Sequence, residues 1–151
     1  MSNDFTNAAR DGNLVAVQQF LADGVDPNTT NENGGFAIIL AAENGHTAVV
    51  SRLISARAEL DVGGKTALMC AATRGYGEIV DLLLSSGASV DATDQNGQSA
   101  LIWATAYRHA DVVRCLLAHR ANKTITDNFG NTALSVAHDT QNEELQLLLR
   151  D

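Results

Sequence analysis

The chain has 151 residues, enough for one domain with a core, and 45% of them are hydrophobic. A formal net charge of −8 removes any general attraction to phosphate backbones or anionic lipid, so a basic or neutral protein partner is expected, with no nucleic acid and no membrane. The start, Met1-Ser2-Asn3-Asp4, lacks the basic-then-apolar stretch of a signal peptide, no apolar run approaches the ~18 residues that cross a bilayer, and Leu149-Arg150-Asp151 carries no lipidation signal; the expected location is cytoplasmic.

In chain order, the first signal is a pair of glycines, Gly12 and Gly45, 33 residues apart and each following an Ala-Ala pair (Ala8-Ala9, Ala41-Ala42). Further on, Gly64-Lys65-Thr66-Ala67-Leu68 returns as Gly97-Gln98-Ser99-Ala100-Leu101 and as Gly130-Asn131-Thr132-Ala133-Leu134, again every 33 residues. A fixed period of this length predicts stacked supersecondary units rather than one closed globule. The segment from Asp61 to Ala92 gives the unit. Asp61-Val62-Gly63-Gly64 reads as a turn, Thr66 as the N-cap of a short helix from Ala67 to Thr73, and Gly75 as its end. A second helix from about Gly77 to Ser85 carries the stripe Ile79, Val80, Leu82 and Leu83, and Gly87 closes it. Neither helix reaches the ~12–15 residues at which an isolated helix becomes marginal, so each must bury its stripe against a neighbouring unit.

These residues resemble the ankyrin repeat. The turns read Asn31-Glu32-Asn33-Gly34, Asp61-Val62-Gly63-Gly64, Asp94-Gln95-Asn96-Gly97 and Asp127-Asn128-Phe129-Gly130. Ala-Ala stands at Ala41-Ala42 and Ala71-Ala72 and is softened to Ala104-Thr105; Gly-His stands at Gly45-His46, and Gly-Ala at Gly87-Ala88. The resemblance implies an all-α solenoid of stacked helix-turn-helix units with projecting finger loops. It implies a single domain over 1–151, with repeats at about 1–30, 31–60, 61–93, 94–126 and 127–151, the first lacking its turn and both ends polar caps.

Departures from the family pattern are equally specific. Ala37, Ala67, Ala100 and Ala133 replace the proline of the Thr-Pro-Leu-His stretch, and Ile39, Met69, Ile102 and Ser135 replace its histidine. Phe36 stands where a capping Thr is expected. Arg108 and Gln141 replace the glycine after the first helix, and Arg57 and Arg120 the glycine after the second. A non-glycine residue in left-handed geometry costs about 1 kcal/mol, which makes the last two repeats the looser ones. Gly34 and Gly64 are only 30 residues apart; the missing three are expected between Ala58 and Asp61, shortening that loop and leaving a notch in the row of fingers.

No complete catalytic set emerges. Gly64-Lys65-Thr66 lacks the earlier glycine of a phosphate loop, since Glu59 is there. Ser135, His138 and Asp139 lack triad geometry. Cys115 and His119 are i and i+4, a two-ligand pair without a third, and His109 lies too far round to complete it. Cys70 and Cys115 read as buried small hydrophobes in a reducing compartment, and His46 and His109 as satisfying local backbone groups. Arg108, Arg114, Arg120 and Lys123 form a basic cluster expected on a solvated convex face. No cofactor or metal is expected.

What the resemblance implies is a non-enzymatic interaction module, an adaptor, scaffold or inhibitor, acting as a monomer. The alternative is a regulatory or docking part of a larger enzyme. Family members bind through finger tips and the concave face of the first helices. Carried over by position, the expected contacts are Glu43, Asn44, Lys65, Arg74, Gln95, Gln98, Tyr107, Asn128, Phe129 and Asn131. Tyr107, Phe129 and Arg74 are the residue types that make interface hot spots. Trp103 occupies a position the family usually fills with a buried Leu-type residue and is expected in the core.

Overall fold

The computed structural model describes residues 1–150. Ten helices follow one another: α1 Ser2–Arg10, α2 Leu14–Ala22, α3 Ala37–Glu43, α4 Thr47–Ser55, α5 Ala67–Arg74, α6 Gly77–Ser85, α7 Ala100–Ala106, α8 Ala110–Ala118, α9 Ala133–Asp139 and α10 Glu143–Leu149. Each odd helix packs on the even helix that follows it, giving five helix pairs. The odd helices also pack on one another in succession, and so do the even ones. The result is a two-layered stack in which each pair touches only its neighbours, the all-helical solenoid expected from the period.

Small side chains let the odd helices stack closely. Ala9, Ala41, Ala42, Ala71, Ala72, Ala104 and Ala137 are fully buried. The even helices supply the larger groups: Val17, Val50, Val80 and Val113 recur at one register, and Leu53, Leu83 and Leu116 at another. Where Ala-Ala softens to Ala104-Thr105, the buried Thr105 hydroxyl donates to the Leu101 carbonyl at 2.7 Å, so it adds no unsatisfied polar group.

Caps follow the sequence closely. Thr66, Ser99 and Thr132 accept at Oγ from the backbone N–H of Met69, Ile102 and Ser135. Phe36 makes no such bond, so α3 starts without a side-chain cap. The even helices divide into two kinds. Asn13 and Asn142 cap α2 and α10 through their Oδ1 atoms. His46, Tyr76 and His109 occupy the same position before α4, α6 and α8 and cap nothing with their side chains.

The histidines act between pairs, not locally as the sequence suggested. His46 Nε2 hydrogen-bonds the Arg10 carbonyl at 2.8 Å, and His109 Nε2 the Thr73 carbonyl at 3.0 Å. Each ring lies against the glycine of the preceding pair. A Cβ on Gly12 would fall 2.5 Å from His46 Nδ1, and one on Gly75 2.6 Å from His109 Nδ1. These glycines therefore answer two demands at once, a positive φ and the space for an imidazole. Where Arg108 replaces the glycine, the next pair carries the smaller Asn142. Arg108 then supplies the bond from its own side, Nη2 donating to the Thr140 carbonyl at 2.8 Å. Arg57, Arg108, Arg120 and Gln141 all adopt positive φ, as their positions required.

Two further sequence expectations need correcting. The three-residue deletion does not precede Asp61. Asn28, Asp61 and Asp91 hold equivalent places, each accepting a backbone N–H of the next pair, from Glu59, Ser89 and Asn122 respectively. Asp61 is thus the loop acid that ties pairs together, and the deletion falls after it, in the finger itself. Asn31, Asp94 and Asp127 close the other fingers by accepting at Oδ1 from the residues two and four ahead. The segment from Asp61 to Lys65 contains only bends. The second correction concerns Cys115, which is half-buried on the outer layer, whereas Cys70 is buried as expected.

Candidate functional site

The site forms where the finger is missing. Lys65 follows the shortened loop, and its Nζ lies 4.0 Å from the centroid of the Trp103 ring on α7. That distance is well within the ~6 Å reach of a cation–π contact. Trp103 is not a core residue. It packs against the core with one part of the ring and stays half-exposed. Its Nε1 donates to Asp94 Oδ2 at 3.0 Å, while Asp94 Oδ1 closes the finger turn by accepting from Asn96 and Gln98. Asp94 is therefore fully engaged in fixing the indole. One turn along α7, the Tyr107 ring lies 6.0 Å from that of Trp103. The two aromatics form a platform with Lys65 above it.

Two hollows flank this platform and share Lys65. One, about 360 Å³, is lined by Glu43, Lys65, Cys70, Thr73, Arg74, Tyr107 and His109. Across it Arg74 Nη2 lies 3.5 Å from Glu43 Oε1, an exposed pair worth little by itself but one that orients both groups. Burial pushes the Cys70 thiol up to about 11; Lys65 and Arg74 pull against this and Glu43 adds to it, and the thiol stays protonated. The other hollow, about 280 Å³, is lined by Gly64, Lys65, Asp94, Gln95, Asn96 and Trp103. It occupies the notch left by the short third finger.

The expected contact residues separate into three groups. Glu43, Lys65, Arg74, Tyr107 and Gln95 are brought together around the platform. Asn128 and Phe129 sit on the neighbouring finger tip, where Asn128 docks on the tip before it: its N–H donates to the Asn96 carbonyl and its Nδ2 to the Gln95 carbonyl. Phe129 projects into solvent at 87% exposure and packs on neither finger. Tyr107 is 54% exposed. Asn44 and Asn131 bond back to the fold through their side chains, whereas Gln98 takes part in its turn only through its backbone N–H. Asn44 Nδ2 donates to the Leu40 carbonyl, Gln98 N–H to Asp94, and Asn131 to both oxygens of Asp127. Those bonds, with the N–H of Phe129, hold the Asp127 carboxyl below the usual carboxylate range.

Trp103, Asp94 and His109 are lining or positioning groups that the sequence reading left out. A signal was available for Trp103: it stands four residues before Tyr107, so any helix that exposes one presents the other on the same face. The basic cluster of the fourth unit is dispersed instead of forming a patch. Arg108 holds Thr140, Arg114 pairs with Asp111 and Glu144, and Lys123 Nζ donates to the Arg150 carbonyl at 2.8 Å. Three of its four members fasten the last helix pair.

Comparison with known proteins agrees with this architecture. A family model described as "Ankyrin repeats (3 copies)" matches residues 5–94 and 86–151. The chain is 38% identical over 100 residues to mouse ankyrin repeat and SAM domain-containing protein 6, which covers 62% of this chain and 11% of that protein. It is 42% identical over 64 residues to human ankyrin repeat and KH domain-containing protein 1, covering 42% of this chain and 2% of the relative. Cortactin-binding protein 2 of Dasypus novemcinctus is 39% identical over 59 residues, 38% of this chain and 4% of that one. The matches thus span about a tenth or less of these relatives. Ankyrin repeats are generally protein–protein interaction modules, and no described helix here is long and apolar enough to cross a membrane. With a family match over nearly its whole length and the two-layered helix stack to accompany it, the chain belongs to the ankyrin-repeat family.

Proposed function

We infer that the chain is a non-enzymatic binding module, an adaptor, scaffold or inhibitor that holds a protein partner across the finger tips and the face of the odd helices. The five helix pairs are read as five repeats of one domain over 1–151, divided near residues 30, 60, 93 and 126. The observation that carries this reading is the pair of exposed aromatics, Tyr107 on the Trp103 platform and Phe129 on the tip of the last finger, both on the C-terminal side of the notch. Large apolar groups held in the open by a rigid scaffold are the usual centres of interfaces. Lys65, Arg74 and Glu43 supply charge of both signs around them, and the overall charge of −8 favours a basic or neutral partner. The module acts as a monomer in the cytoplasm.

The test is affinity capture from a source-cell lysate with wild type and with the Tyr107→Ala, Phe129→Ala double variant, read by quantitative mass spectrometry. A protein enriched by wild type and lost with the variant supports this face. Equal enrichment by both moves the site elsewhere. A second reading, a docking segment within a larger protein such as an enzyme, is favoured by the small share of each relative that the repeats occupy. Under that reading the same face engages another domain of the same polypeptide.

A further inference from the structure

On the outer layer, away from the platform, three side chains of different chemistry converge from two repeats. Cys115 lies on α8, and His119 follows at its C-cap, one turn on; Asp81 lies on α6. His119 Nε2 is 3.2 Å from Asp81 Oδ1, Cys115 Sγ is 4.0 Å from the same oxygen, and one ligating atom from each residue falls within 4.8 Å of the others. We propose that Asp81, Cys115 and His119 bind a single zinc ion that joins the second helices of the third and fourth helix pairs.

The geometry and the donor set both point this way. With metal–ligand bonds of about 2.0–2.3 Å, donor atoms on a tetrahedral ion sit about 3.3–3.8 Å apart. The Asp81–His119 spacing is already close to that. The sulfur has only to close by a rotation of a half-exposed side chain. A thiolate, an imidazole and a carboxylate together suit zinc, whereas calcium and magnesium take oxygen sets. Three protein ligands leave the fourth position to water on the solvent side, where Asp81 is 65% exposed.

The convergence does not follow from the repeat alone. The equivalent register positions at the two preceding junctions of even helices hold other residues. Between α4 and α6 they are Ser51, Leu82 and Ser86, and between α2 and α4 they are Gln18, Arg52 and Ala56. Only at the α6–α8 junction, among the described residues, are all three able to ligate a metal.

The experiment uses the reduced, tag-free chain titrated with Zn²⁺ by calorimetry and with Co²⁺ by absorption spectroscopy. The expected result is one ion per chain, with tetrahedral d–d bands and a thiolate-to-cobalt charge-transfer band. Cys115→Ser should abolish that band. Asp81→Asn and His119→Gln should each weaken zinc binding by more than the roughly 10–100-fold that loss of an outer-sphere partner costs. Cys70→Ala should leave both signals intact, and circular dichroism checks that every variant remains folded. Absence of zinc binding, a cobalt spectrum without the thiolate band, or a Cys115→Ser or Asp81→Asn variant that binds unchanged would each overturn the site.

Discussion

At the residue scale, the glycines with positive φ separate into two kinds. Gly87 needs only its positive φ, because a Cβ there would meet nothing within 4 Å. Gly75 needs its φ and the room that His109 fills. Gly87→Ala should therefore cost about 1 kcal/mol. Gly75→Ala should cost about 2 kcal/mol, because it also displaces an inter-repeat hydrogen bond, and it should lower the midpoint by about 4–8 °C. Equal losses in thermal melts would refute the second role. The reverse change, Arg120→Gly, should stabilise by about 1 kcal/mol, whereas Arg108→Gly should gain less because it surrenders the bond to Thr140. Asp127 gives a pH-dependent counterpart. Its folded pKa lies below its unfolded one, so its stabilisation is present above the unfolded pKa and is lost as the pH falls through the folded value, below the usual carboxylate range. Asn31 closes the equivalent turn with an amide, so Asp127→Asn should keep the fold and flatten the acid limb of the stability curve. An unchanged acid limb in urea titrations at stepped pH would show that the turn is not responsible.

At the element scale, the helices were legible because their determinants are local. The 33-residue period, the Thr66 and Ser99 caps and the glycine stops set their places, and α6 runs from Gly77 to Ser85 as read. What was not legible depends on partners far along the chain. Asp61 fits either of two aspartate positions in the repeat, and the choice is settled by its bond to Ser89, 28 residues on. Trp103 looked like core because its position usually is. Its exposure follows from the missing third finger, which leaves Lys65 to lie over the ring. The last repeats were expected to be loose, since they carry three of the four strained residues, yet Arg108, Arg114 and Lys123 fasten the final pair. Exposed bonds of this kind contribute about 1 kcal/mol or less each, and α10 has a neighbour on one side only. Amide hydrogen exchange should thus be at least about tenfold faster in α9 and α10 than in α5 and α6, and Arg108→Ala should speed it further in α9 and α10 alone. Uniform exchange along the stack would contradict this nearest-neighbour account.

At the scale of the whole molecule, a stack of short helices is held together by packing between neighbouring pairs. On the proposed reading, function resides in what the face presents. Here the face presents one absent finger, an aromatic platform next to it and an exposed Phe129 on the last finger. The candidate site was partly legible: Tyr107, Lys65, Arg74, Glu43 and Gln95 gather around the platform, whereas the Asn131 side chain bonds back to Asp127 in its own turn. Repeat arithmetic assigns all of these positions to the face equally and cannot separate a side chain that reaches outward from one that bonds back. Because Phe129 and Tyr107 are exposed, replacing both with Ala should change stability by less than about 0.5 kcal/mol while weakening a complex through this face by about 2–4 kcal/mol.

Trp103 is the single tryptophan of the chain and lies within the proposed interface, so its fluorescence reports on that face directly. The decisive measurement is a titration of the captured partner into wild type and into the Tyr107→Ala, Phe129→Ala variant, with Trp103 emission and calorimetry followed together. A saturable emission change that tracks the heat of binding in wild type, with affinity lost by at least about thirtyfold in the variant, is the expected result. Binding heat that saturates with unchanged emission and equal affinity in both proteins would place the partner on another surface and contradict the account.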